Sequence, residues 1–241
     1  RNDFASFPPD ARSTTIFMSG ETQSSYANGD IDFIPMQLWV MADYLREHPV
    51  DLAAVHLAPT GDASVFNPGP NSDFIDAVTE NATTVLAEIN AKAPAILNAP
   101  AVPASRLDYI VHVFRDHADF PFVEPNEDAL TIAGYVAELV NDGDCIQWGI
   151  GAIPYAVMTA LRDKNDLGIH SGVFDDAGMA LVQSGVVTGN YKTIDKGLAV
   201  GASFFGTQPF YQWLAEAKDI AARPYSYTHD GTVLASIDNL V

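Results

Sequence analysis

The clearest chemistry in this chain lies in Gln147-Trp148-Gly149-Ile150-Gly151-Ala152-Ile153-Pro154. Cys145–Trp148 reads as a buried strand, and Pro154 suits the first turn of a helix, where a missing N–H costs nothing. Two glycines at such a junction allow a tight turn and a close approach to main-chain atoms. The first N–H groups of a helix have no intrahelical acceptor, and the helix dipole puts roughly half a positive charge at that end. The turn therefore suits a phosphate, a carboxylate or a developing oxyanion. A plain structural turn is the alternative. A dinucleotide site is disfavoured on two counts. Pro154 stands where a third glycine is needed, and the next strand closes on His170-Ser171-Gly172 with no acid for a ribose.

Other reactive side chains need weighing one by one. His170 ends a strand, either as a base or as a hydrogen-bonded structural residue. Asp175 and Asp176 follow closely; the expectation is that Asp176 begins or caps the next helix and Asp175 is solvated. Glu88 and Asn90 end another strand, facing a cleft or making structural bonds. His229 reads as a loop histidine without a task. Cys145 reads as a packed core thiol, because no base is recognisable beside it. Asn81-Ala82-Thr83 fits a glycosylation acceptor, with no secretion signal to give it meaning. No metal is expected.

The elements that would position these residues alternate short apolar runs with amphipathic segments, a sign of α/β architecture. Strands are expected at Thr14–Met18, Leu52–Leu57, Thr84–Ile89, Leu107–Val113, Cys145–Trp148, Leu167–His170 and Leu198–Phe204. Helices are expected at Pro35–Glu47, Asp128–Val140, Pro154–Arg162, Asp176–Ser184 and Gln208–Lys218. Pro121 and Pro125 bracket a segment without a period of its own, so two domains are expected, 1–122 and 123–241.

Composition narrows the function classes. Hydrophobic residues make up 48% of 241 and charged residues 18%, which suits a globular chain with a sizeable core. No run approaches the roughly 18–20 apolar residues of a membrane helix. The formal net charge is −19, which repels nucleic acid and anionic lipid, so neither is an expected partner. A lone cysteine fits a reducing, cytoplasmic setting.

From Asn141 to about Val241 the chain resembles the acetyl-CoA hydrolase/transferase family, which includes the 4-hydroxybutyrate CoA-transferases. The stretches that carry the resemblance are Asp142-Gly143, the Gln147–Pro154 turn, Asp166-Leu167-Gly168-Ile169-His170-Ser171, Ser184-Gly185-Val186-Val187-Thr188, Ser203-Phe204-Phe205-Gly206-Thr207 and Tyr227-Thr228-His229-Asp230. Asp32-Phe33-Ile34-Pro35, Ala87-Glu88-Ile89-Asn90 and Leu107-Asp108-Tyr109 match more loosely.

The resemblance implies two similar α/β domains with mainly parallel sheets, incomplete at both ends. It implies coenzyme A as a substrate, with an acyl-CoA and a small carboxylate as ligands, and allows a homo-oligomer. It also implies that Gly149, Ile150 and Gly151 form part of an oxyanion hole. In the family a glutamate after the next strand attacks the acyl-CoA, forming first an anhydride and then a glutamyl thioester. Here that place is Gly172, which has no carboxylate. Gly172 is expected at a strand end across from the glycine turn, leaving a gap for a water oriented by His170, Asp175 or Asp176. Transfer, hydrolysis, and CoA or acyl-CoA binding without catalysis all remain open. A sugar-phosphate isomerase-like enzyme is a weaker alternative.

Overall fold

The computed structural model describes residue 8 and residues 10–120 and 124–241. The break expected between 122 and 123, with Pro121, falls among residues outside that description.

In the first half, Leu52–Leu57, Thr84–Asn90 and Tyr109–Val113 form a parallel sheet with Thr84–Asn90 in the middle. Side chains alternate across a strand. Val55, Leu57, Val85, Ala87 and Ile89 therefore share one face, and it packs with Phe66 and Val102 into an apolar cluster. Helices Leu38–Glu47 and Ile75–Asn81 pack against each other beside it. Tyr109–Val113 is an edge strand with Tyr109, Ile110 and Val111 all exposed.

The second half again builds on parallel pairs, around a core that also takes in Ile96 from the first half. Cys145–Ile146 pairs with Gly168–Ile169, Val173–Phe174 with Ser203–Phe204, and Ala199–Gly201 with Ile220–Ala222. Phe174 sits at the centre of the core, with the rings of Trp148, Phe204, Phe210 and Trp213 at 5.7–6.3 Å. Burying one such ring contributes about 1.5–3 kcal/mol. Among the described residues the pair Val65–Phe66 with Val102–Pro103 runs antiparallel, so the sheets are mainly parallel, as expected. The halves are stitched together by polar contacts. The Asn98 amide donates to the Lys218 and Ile220 carbonyls, and Gln208 donates to the His117 carbonyl.

The expected strand Leu198–Phe204 is two strands. Gly201 lies so close to the Phe204 and Phe174 rings that a Cβ there would come within 2.8 Å of Phe204. The chain bends at Ala202, and the two pieces pair with different partners. The expected strand Cys145–Trp148 stops at Ile146, and the Trp148 N–H turns to the Ser171 hydroxyl at 3.4 Å. The helices Gly20–Ala27 and Ile75–Asn81 were not expected. The first is held by a capping box in which Ser19 and Thr22 bond each other's backbone N–H.

Candidate functional site

Three helices begin at one place. Ala152–Ala160 starts after Gly151, Asp176–Gln183 after Asp175 and Gln208–Leu214 after Thr207. All three capping residues line a cavity of about 300 Å³, together with Phe120, Ile150, Tyr155, Val173 and Phe205. The first N–H groups and the positive dipole end of each helix point towards this region, so each needs an acceptor.

One of the three ends is capped by a side chain, and a second is bonded at its capping residue. Asp175 Oδ1 accepts the Ala177 and Gly178 N–H groups at 3.0 and 3.1 Å. Asp176 reaches across to the third helix, where it accepts the Thr207 N–H at 3.0 Å and the Thr207 hydroxyl at 2.7 Å. Gly206 makes this approach possible, since a Cβ there would come within 2.7 Å of the Asp176 carboxylate and 2.5 Å of the Phe210 ring. Burial pushes the Asp175 carboxyl above its ordinary range.

The remaining end, at Gly151, is open. No side chain caps it, and Gly149, Ile150 and Gly151 are exposed. Their N–H groups donate to no protein acceptor among the described residues. Gly151 has φ 137° and ψ 174°, a conformation that glycine alone adopts readily. Ile150 and Gly151 of this turn lie in the lining of the largely apolar cavity.

The structure brings Gly172 next to this turn. The strands before Gly149 and Gly172 are paired and parallel, and the Ser171 hydroxyl donates to the Trp148 carbonyl at 3.2 Å. The expected gap, however, is filled. A Cβ on Gly172 would collide with the His229 ring and come within 2.9 Å of Tyr225. His229 is half-buried, with Nδ1 3.1 Å from the Thr228 hydroxyl, and burial lowers its pKa. The Gln147 amide fastens this segment by donating to the Thr228 carbonyl at 3.1 Å.

The other expected residues divide clearly. His170 is fully buried, its ring 5.5 Å from that of Tyr227, and it does not line the cavity. Burial and the Lys192 ammonium push it down to about 4, so it is neutral at pH 7. Asp175 is a half-buried helix cap rather than a solvated residue. Glu88 pairs with Arg115 and lies 3.6 Å from His56, while buried Asn90 bonds the Arg115 and Lys92 backbone. Cys145 is buried and its thiol is pushed up to about 11, as a core thiol should be. Among the described residues no cluster of His, Cys, Asp and Glu is placed to hold a metal, and no helix is long and apolar enough to cross a membrane.

No family model matches the chain. It is 30% identical over 237 residues to the 4-hydroxybutyrate coenzyme A transferase of Clostridium kluyveri, covering 95% of this chain and 54% of that protein. It is 30% identical over 234 residues to the butyryl-CoA:acetate CoA-transferase of Anaerostipes caccae, covering 93% and 52%. The crystal structure of RipA from Yersinia pestis superposes with a TM-score of 0.88 at 27% identity, covering 95% of this chain and 55% of that one. The chain is a homologue of the 4-hydroxybutyrate and butyrate type of CoA-transferase. The 4-hydroxybutyrate CoA-transferase structure from Porphyromonas gingivalis agrees, at 27% identity with a TM-score of 0.82, covering 95% and 60%. The two-domain α/β fold of this CoA-transferase homologue is that of these structures. The chain spans about half the length of the relatives it matches.

Sequence reasoning missed the apolar lining from Phe120, Tyr155, Val173 and Phe205. One signal was present for part of it. Val173 and Asp175 are two residues apart and so share a face of an extended chain. Nothing local in the sequence joins His229 to Gly172, which lie far apart along the chain.

Proposed function

We propose that this chain forms the acyl-CoA-handling part of a CoA-transferase or acyl-CoA hydrolase acting on small carboxylic acids. The observation that carries this reading is the uncapped Gly149-Ile150-Gly151 turn beside an apolar cavity, in a chain homologous to CoA-transferases over nearly its whole length. In this reading the thioester carbonyl oxygen lies against the Ile150 and Gly151 N–H groups. Attack on the carbonyl carbon moves the carbonyl π electrons onto that oxygen, where the N–H groups and the helix dipole stabilise them. Collapse of the intermediate breaks the C–S bond and releases CoA as the thiolate.

The attacking group is the open part of the reading. Gly172 supplies no carboxylate, and His229 fills the space beside it. A covalent route through position 172 therefore has no reacting atom, which favours direct attack by water or by a free carboxylate. The same observation favours a second reading, a CoA or acyl-CoA binding homologue without catalysis. Asp175 and Asp176 are tied up in backbone bonds and so serve this site as positioning residues in either case.

The test is an assay of the full-length reading frame with several acyl-CoAs, with and without acetate. Acetyl-CoA formed only when acetate is present means transfer, and CoA release in water alone means hydrolysis. Binding without turnover supports the second reading. Absence of both binding and turnover removes the proposal.

A further inference from the structure

The cavity beside the glycine turn has walls whose chemistry points to a class of acyl group. Its apolar surface comes from Phe120, Ile150, Tyr155, Val173 and Phe205, with the Phe120 and Phe205 rings 5.2 Å apart. Among the described residues no lysine, arginine or histidine lines it. Among the described residues its charged lining is Asp175 and Asp176, whose carboxylates already accept the N–H groups of Ala177 and Thr207. A volume of about 300 Å³ holds about ten groups at roughly 30 Å³ each.

We propose that this cavity is an acyl subsite that selects unbranched apolar acyl groups of up to about ten carbons, by the volume per group above, and rejects acyl groups bearing a second carboxylate. The proposal rests on the reading that the chain handles acyl-CoA, because the uncapped turn at the cavity mouth then receives the thioester carbonyl. An acyl chain leading away from that carbonyl enters apolar walls. Each buried methylene strengthens binding about fourfold. A distal carboxylate meets the opposite conditions. It would leave water for walls without a cation and come close to two aspartates, so it would be neither solvated nor paired. Tyr155 and Thr207 carry no charge to offset an anion.

Calorimetric titration of the full-length reading frame with CoA, acetyl-CoA, butyryl-CoA, hexanoyl-CoA and succinyl-CoA tests this. Affinity should climb about fourfold per methylene from acetyl to hexanoyl. Succinyl-CoA, with the same four-carbon backbone as butyryl-CoA, should bind at least about tenfold more weakly, as expected for an unpaired buried carboxylate. Val173→Trp should flatten the gradient, and Phe205→Ala should move the preferred length upwards. Hexanoyl-CoA no tighter than acetyl-CoA, or succinyl-CoA equal to butyryl-CoA, overturns the subsite while leaving the CoA reading intact. A flat series would also follow if another segment of the full-length protein fills the cavity, and it equally overturns the proposal. Failure of CoA and every acyl-CoA to bind overturns both readings.

Discussion

Gly172 and His229 form a pair that can only be understood together. The imidazole occupies the space a side chain at 172 would need, with Tyr225 closing the other side. Gly172→Glu alone should therefore be an overpacked variant. Overpacking typically costs about 1–3 kcal/mol, and denaturant unfolding should show a loss of that size. His229→Ala added to it should recover most of the loss, because the ring is the nearest obstacle. Full stability in the single variant would mean that the ring turns aside easily. Any new acyl transfer should emerge in the double variant rather than in the single one. The sequence placed Gly149 and Gly172 after consecutive strands, and those two strands do pair in parallel. It could not reveal that a residue from far along the chain folds back over it.

The three convergent helix starts show what a carboxylate does when its own helix is already capped. Asp175 holds the start of Asp176–Gln183, and this frees Asp176 to hold the start of Gln208–Leu214 through Thr207. Asp176→Ala should leave the first helix intact but loosen the second, at a cost of about 1.5–3 kcal/mol for hydrogen bonds to a charged group. Urea titration of the variant measures that cost. A loss within about 0.5 kcal/mol, the level of an ordinary surface change, would mean that water replaces the contact freely. Gly151→Ala should cost about 1–3 kcal/mol through its backbone conformation alone, since only 3.8 Å contacts surround the added methyl. Helix starts at Asp176 and Gln208 were legible from acidic and proline cues. The short strands were less so. Cys145–Ile146, Val173–Phe174 and Ser203–Phe204 are two residues long, too short to show a local period, and the last two are packed together through the Phe174 and Phe204 rings.

Across the whole molecule, buried histidines should make the protein sensitive to mild acid. His170 titrates near 6.5 when unfolded but is pushed down to about 4 when folded. Between those values the unfolded chain binds the extra proton, so stability is full above about 6.5 and falls as the pH drops towards 4. Burial also lowers His56, His117 and His229, which act in the same direction. Burial raises Asp73 and Asp175, and these offset part of the loss at the acid end because the folded state holds their protons. Melting temperatures should therefore fall between pH 7 and pH 5. A flat profile over that range would show that the histidines gain solvent before the chain unfolds. The α/β class of the molecule was readable from the repeated βα alternation. The apolar walls of the cavity were not, because they come from four separate segments.

The outer strand Tyr109–Val113 has one further consequence. Its sequence, Tyr-Ile-Val-His-Val, combines high strand propensity with no lysine, arginine, aspartate or glutamate, and among the described residues its outer backbone groups face no neighbouring strand in the sheet. Such a border invites strand addition from another molecule, and the chain's large negative charge is then the main brake on self-templated growth. High salt weakens that brake by shortening the range of repulsion. Concentrated samples should consequently form higher-order species, visible by light scattering, as salt is raised. Val111 lies opposite Glu88 in the register, so Val111→Lys adds a gatekeeper charge beside a carboxylate and should suppress that growth without disturbing the fold.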